Sequence, residues 1–193
     1  LYKNTTQENI PKVYFLRVDT VFGTSEEKKV SARGEINFSK LVTWLSENEY
    51  RNNVLEKSIK SFMQDGRELL VLSDRVNHLK YLHSKFEDSG IIHGGVKGKN
   101  REEVLVSNKL VFASNKIAKE GLDKKTLNTV IITMPLSDEG TFIQIMGRAQ
   151  RSSDPVVMIL EDTNVGMCKS MCNNLRTILN RLKYKHYNMG VLL

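Results

Sequence analysis

The sequence predicts an α/β fold, a parallel sheet flanked by helices. Short apolar runs of strand length alternate with longer segments of helical period. The runs are apolar at successive positions, the pattern of strands covered on both faces. Small and polar residues follow several of the runs directly, where an open α/β sheet gathers its ligands.

The elements follow in chain order. Residues 1–10 are polar and read as a frayed end or a linker. Lys12–Val18 reads as a strand, with Val30–Ile36 as its partner and Glu26–Lys29 as an exposed turn between them. Ser39 is placed to cap a helix over Lys40–Ser46, and Glu49–Met63 carries a longer helical pattern stopped by Gly66. Leu69–Leu72 is a buried strand, and Arg75–Phe86 puts Leu79, Leu82 and Phe86 on one side of a helix. Ile91–His93 is a short strand running into Gly94-Gly95, and Asn100–Val106 is a short helix. Leu110–Ala113, Val130–Thr133 and Val156–Leu160 are strands. A helix starts near Asp138 between the last two, and a final helix covers Asn164–Lys183. The expected division is an N-terminal strand and helix extension over 1–65 and the α/β domain over 66–193.

Apolar residues make up 40% of the 193 and charged residues 26%, so a globular core is within reach. No apolar run approaches the roughly 20 residues that span a bilayer, so no membrane partner is expected. The chain opens at Leu1 rather than Met, which reads as a piece of something larger. Cys168 and Cys172 make no disulfide framework, and a reducing compartment is the default. Their i, i+4 spacing could hold a metal, but no further Cys or His stands near, so an apolar helix face is preferred and no metal site is expected. The net charge of +7 favours a polyanionic partner such as nucleic acid. Arg176, Arg181, Lys183 and Lys185 read either as a basic strip or as a solvated face.

Gln144-Ile-Met-Gly147-Arg148-Ala-Gln-Arg151 sets a glutamine and two arginines at i, i+4 and i+7, on one helix face. Arginine stays charged and grips phosphate oxygens with a planar fork. A surface helix with solvated charges is the plain alternative. Beside it stand the polar clusters after the strands: Ser73-Asp74-Arg75, Gly94-Gly95, Ser114-Asn115, and Gly121 with Asp123. Ser73 reads equally as a helix cap, Gly94-Gly95 as a turn, and His93 as a structural histidine.

The octet resembles motif VI of superfamily 2 helicases and translocases. Leu69–Arg75 resembles motif IV and Val111–Asp123 resembles motif V, in the family's order and separations. The resemblance covers roughly residues 66–162 and implies a RecA-like parallel sheet flanked by helices, the second helicase domain. It is similar to the phage recombination and poxvirus transcript-release helicases, a type carried by large cytoplasmic DNA viruses, African swine fever virus among them. Trp44-Leu-Ser-Glu-Asn-Glu49 adds a weaker hint of that branch. By resemblance, Arg148 and Arg151 meet the γ-phosphate of ATP and Gln144 couples that contact to the nucleic-acid side. Gly121 and Asp123 approach the ribose. Ser73, Arg75, Gly94, Gly95, Ser114 and Asn115 hold the sugar-phosphate backbone, DNA being favoured over RNA. The viral resemblance implies a location in host cytoplasm or virion.

The P-loop pattern G-x-x-x-x-G-K-[ST] is missing. Gly98-Lys99-Asn100 lacks the hydroxyl residue, and His93 stands where the first glycine belongs. No D-E-x-H or D-E-A-D box appears. The sequence thus implies half a site, with ATP and Mg2+ bound mainly by a preceding RecA-like domain, and a chain inactive by itself. A nucleic-acid-binding domain without a motor and an RNA helicase domain stand as alternatives. A metabolic α/β enzyme is disfavoured, since no nucleophile elbow, paired-His site or dinucleotide fingerprint occurs.

Overall fold

The computed structural model describes residues 10–96, 98–121, 124–150 and 152–190. In chain order the elements are β1 (Lys12–Val18), α1 (Thr24–Val30), β2 (Ser31–Ala32), β3 (Glu35–Ile36), α2 (Phe38–Glu47), α3 (Glu49–Gln64), β4 (Leu69–Leu72) and α4 (Val76–His83). Then come β5 (Ser89–Ile92), α5 (Gly98–Ser107), β6 (Leu110–Ala113), α6 (Asn115–Gly121), β7 (Thr129–Ile132), α7 (Glu139–Ala149), β8 (Val156–Asp162), α8 (Gly166–Arg181) and β9 (His186–Met189). Seven strands form one sheet in the order β5-β6-β4-β7-β8-β1-β9, and every pairing in it is parallel.

The pleat sorts each strand's side chains between two cores. Leu70, Leu72, Val111, Val130, Ile132, Val157 and Ile159 pack with Ile117 of α6, with Phe142 and Ile145 of α7, and with Leu175 and Leu179 of α8. Leu69, Val71, Phe112, Ile131, Met158 and Leu160 pack on the other face with Val54, Leu55 and Ile59 of α3 and Leu79 and Leu82 of α4. A third cluster joins Val30, Leu41 and Leu45 to Met134, Val165 and Cys168. Gly66, at φ +72, takes the left-handed conformation that ends the α3 segment.

Three expectations need correction. The Val30–Ile36 segment is not the partner of Lys12–Val18, because β1 lies between β8 and β9. Glu26–Lys29 is not a turn but part of α1. There Glu26 Oε2 accepts the Gly23 N–H at 3.0 Å, and Lys28 and Lys29 stand in the last turn, where the helix dipole favours cations. The short β2–β3 hairpin turns through Arg33 and Gly34, both at positive φ. Finally, α2 is capped by Asn37, whose Oδ1 accepts the Lys40 N–H at 3.0 Å, rather than by Ser39. Residues 10–65 thus supply one strand and one covering helix to the same sheet as the rest.

Candidate nucleotide and nucleic-acid edge

The residues that follow β5, β6, β4 and β7 stand side by side at the sheet's carboxyl edge. Ser114 N–H donates to Ile92 O at 3.3 Å, Ser73 N–H to Ala113 O at 3.1 Å, and Thr133 N–H to Leu72 O at 3.1 Å. The polar clusters that follow β4, β5 and β6 are therefore neighbours in space. Gly94 and Gly95 are exposed in a turn closed by Val96 N–H to His93 O at 2.9 Å. His93 Nδ1 accepts the Gly95 N–H at 3.3 Å, so His93 serves the turn. Ser114 is half-buried, whereas Asn115 is buried and its Oδ1 has no hydrogen-bond partner among the described residues.

Ser73 departs from its expected role. It is fully buried, and its hydroxyl bonds His78 Nδ1 at 3.0 Å and accepts the Arg75 N–H at 3.2 Å. Its side chain faces the interior rather than a ligand. Arg75 lies across α2, with Nε donating to Thr43 Oγ1 at 3.1 Å and Nη2 to Ser39 O at 2.8 Å.

The motif VI helix begins where the sequence places it. Asp138 Oδ2 accepts the Thr141 N–H at 2.6 Å, an N-cap. Phe142, Ile145, Met146 and Ala149 face the core, which leaves Gln144 exposed and Arg148 half-buried on the outer side. Arg148 Nε donates to Ala118 O of α6 at 3.1 Å, so the motif VI arginine is docked on the helix that follows β6. Gly121 is the last residue of α6. Asp123 and Arg151 lie outside the described residues. Gln150 Nε2 donates to Tyr184 Oη at 2.7 Å, tying the end of α7 to the segment before β9.

Two buried networks beneath this edge escaped the sequence reading. Arg51 and Asp162 are both fully buried, with Nε to Oδ1 at 2.9 Å and to Oδ2 at 3.1 Å. Thr20 Oγ1 donates to the same carboxylate at 2.8 Å, and Arg51 Nη2 donates to Thr133 O. Arg51 Nη1 has no partner among the described residues. The second network joins His78, Asn52 and Ser73. Burial, with the Arg51 charge adding to it, pushes the His78 pKa down to about 3. A signal was available, because Arg51, Leu55, Ser58 and Ile59 share the inward face of α3.

Burial also pushes the Cys172 thiol up to about 12 and the Cys168 thiol upward, so both behave as core side chains. No metal-holding cluster occurs among the described residues. The basic strip dissolves in part: Arg176 pairs with Glu161 at 2.6 Å, and Arg181 pairs with Glu139.

A parallel seven-stranded sheet flanked by helices is the architecture of RecA-like helicase C-terminal domains. Residues 51–153 match the helicase conserved C-terminal domain, and the chain belongs to that family. A putative ATP-dependent RNA helicase of Acanthamoeba polyphaga mimivirus is 23% identical over 194 residues, 92% of this chain. The chain spans only 37% of that relative's length. Among solved structures, T4 UvsW superposes with a TM-score of 0.68 at 16% identity, over 100% of this chain and 44% of that one. A point variant of S. cerevisiae Dbp5 bound to RNA and ADP BeF3 gives 0.62 at 14% identity, over 95% and 42%. At these identities the likeness shows the fold.

Proposed function

We propose that this domain is the second motor lobe of an ATP-driven helicase or translocase. It closes on ATP held by another domain and grips one nucleic-acid strand by the backbone. The observation that carries this reading is the half-buried Arg148, on the outer face of α7 and bonded to Ala118 of α6, the helix that leads to Gly121. Arg148 and Arg151 are proposed to meet the γ-phosphate, Gln144 to pass that contact toward the strand, and Gly121 and Asp123 to approach the ribose. Arg75, Gly94, Gly95, Ser114 and Asn115 are proposed to hold sugar-phosphate groups, where backbone amides beside glycine bind phosphate without reading sequence.

Arg148 on α7 is proposed as part of one wall of an ATP site, and ATP and Mg2+ are proposed to be held mainly by the other domain. Bound ATP supplies the γ-phosphate whose removal ends the inter-domain contact. This chain contributes the cations that favour closure while that phosphate is present.

In the helicase that carries this domain, Arg148→Ala or Arg151→Ala is expected to lower ATP turnover by about 10³–10⁵ and to spare nucleotide binding. Steady-state turnover together with nucleotide binding by fluorescence checks this. Appreciable turnover by the 193-residue chain alone contradicts the half-site.

DNA is the proposed track, in a viral transcription or recombination setting in host cytoplasm or virion. The mimivirus relative's name and the RNA-bound Dbp5 variant favour RNA as a second reading. ATP turnover stimulated by single-stranded DNA or by single-stranded RNA separates the two.

A further inference from the structure

A line of buried hydrogen bonds runs beneath the strand-holding edge. Asn52 Nδ2 donates to Ser46 O at 2.9 Å, which turns its Oδ1 toward His78. His78 Nε2–H donates to that Oδ1 at 2.9 Å. The ring is neutral, so Nδ1 is an acceptor and takes the Ser73 hydroxyl proton at 3.0 Å. Ser73 Oγ in turn accepts the Arg75 N–H at 3.2 Å. Asn52, His78 and Ser73 are 3%, 2% and 0% exposed, so water has almost no access to the bonds.

The line ends at a cation. Arg75 bonds Thr43 and Ser39 of α2 through Nε and Nη2, and its Nη1 group bonds no described residue. The guanidinium lines an open cleft of about 710 Å³ between the α2–α3 junction and α4, together with Asn77 and Tyr81. Buried polar networks fix one orientation of their members.

We propose that Asn52 and His78 are positioning residues for Arg75. By setting the direction of the Ser73 hydroxyl, they hold the Arg75 backbone, and with it the guanidinium, where it takes a phosphate of the bound strand. This rests on the reading of the edge as a nucleic-acid grip. The charged and titratable groups around His78 are Arg51 on α3, Glu47 and Glu49 at the α2–α3 junction, Arg75 after β4, and Tyr81 on α4. Arg51 disfavours the imidazolium, and the two carboxylates line the same cleft as Arg75.

The test is Asn52→Asp. The new carboxylate still accepts from Nε2–H but favours the imidazolium. A protonated ring donates from Nδ1 as well, so Ser73 Oγ must accept there beside the Arg75 N–H, and its own proton loses its acceptor and turns the hydroxyl away from its present direction. Anisotropy of a labelled oligodeoxythymidine with this chain reads the consequence between about pH 5.5 and 8, the range of a histidine switch. Wild type is expected to show no step from His78 in this range. Asn52→Asp should bind like wild type at the upper end and about tenfold more weakly at the lower end, the loss of roughly one charge-assisted contact. Adding Arg75→Ala should abolish that step. A purely structural role would weaken binding equally at every pH. An Asn52→Asp variant that binds as wild type throughout overturns the proposal. A wild-type chain that binds no oligonucleotide overturns the grip itself, and this inference with it. Should Asn52→Asp not fold, the nitrogen-15 shifts of His78 in wild type decide: Nε2 protonated and Nδ1 bare supports the relay, and the opposite tautomer overturns it.

Discussion

His78 is held neutral by burial, with the charge of Arg51 adding to it, and this has a cost in acid. The unfolded chain takes up the proton near the ordinary histidine value of about 6.5, while the folded chain resists it down to about 3. The contribution is therefore fully present above pH 6.5 and is lost as pH falls from there toward 3. Between pH 7 and 5 the loss is about 2 kcal/mol, at roughly 1.4 kcal/mol per pH unit. Urea unfolding at the two pH values is expected to show that loss in wild type. His78→Phe, which cannot take the proton, should lack that share. Equal pH slopes for the two proteins would contradict a neutral, buried His78.

At the scale of elements, Gly90 shows why β5 and α5 sit so close. A Cβ built there would stand 2.4 Å from Val104 Cγ1 and 2.9 Å from Asn108 Nδ2. Gly90→Ala is expected to cost about 1–3 kcal/mol through overpacking, and Val104→Ala in the same chain should recover part of it. Thermal unfolding of the single and double variants checks this, and a silent Gly90→Ala would mean the two elements can part freely. The strands β4 and β6 were legible because all four residues of each are buried, so the apolar run itself marks them. The motif VI helix was legible from its cap and its inward stripe. By contrast, β9 reads His-Tyr-Asn-Met, a polar edge strand without an apolar run, and only its pairing with β1 makes it a strand. Of the site, the sequence carried the residue types at each strand end but not their directions. Ser73 read as a strand-holding residue or a helix cap, yet its buried hydroxyl bonds His78, whose other ring nitrogen bonds Asn52 from 26 positions earlier, a partner that no local pattern could supply. The spacing put Arg148 on the outer face of its helix, whereas its dock on Ala118 comes from the packing of two helices.

Taken whole, the molecule is built on one seven-stranded sheet in which β1 stands next to the edge, bonded to β8 on one side and β9 on the other. Ending the chain after Lys183 removes β9 and with it the Gln150–Tyr184 and Arg176–Asn188 bonds. It also strips His186 from the ring of Phe15 and leaves one side of β1 unpaired. The shortened chain is expected to lose at least about 2 kcal/mol and to aggregate with rising concentration, as uncovered strand edges do. Calorimetry and light scattering check both, and an unaltered melting curve would contradict a structural role for β9. The position of β1 has a temporal consequence too. Val13 pairs with Val157, so a ribosome making this protein releases β1 long before its first neighbour exists. At about 5–20 residues per second the apolar Phe15–Val18 stretch waits on the order of ten seconds without a home, open to chaperones or to the wrong strand of a nascent neighbour.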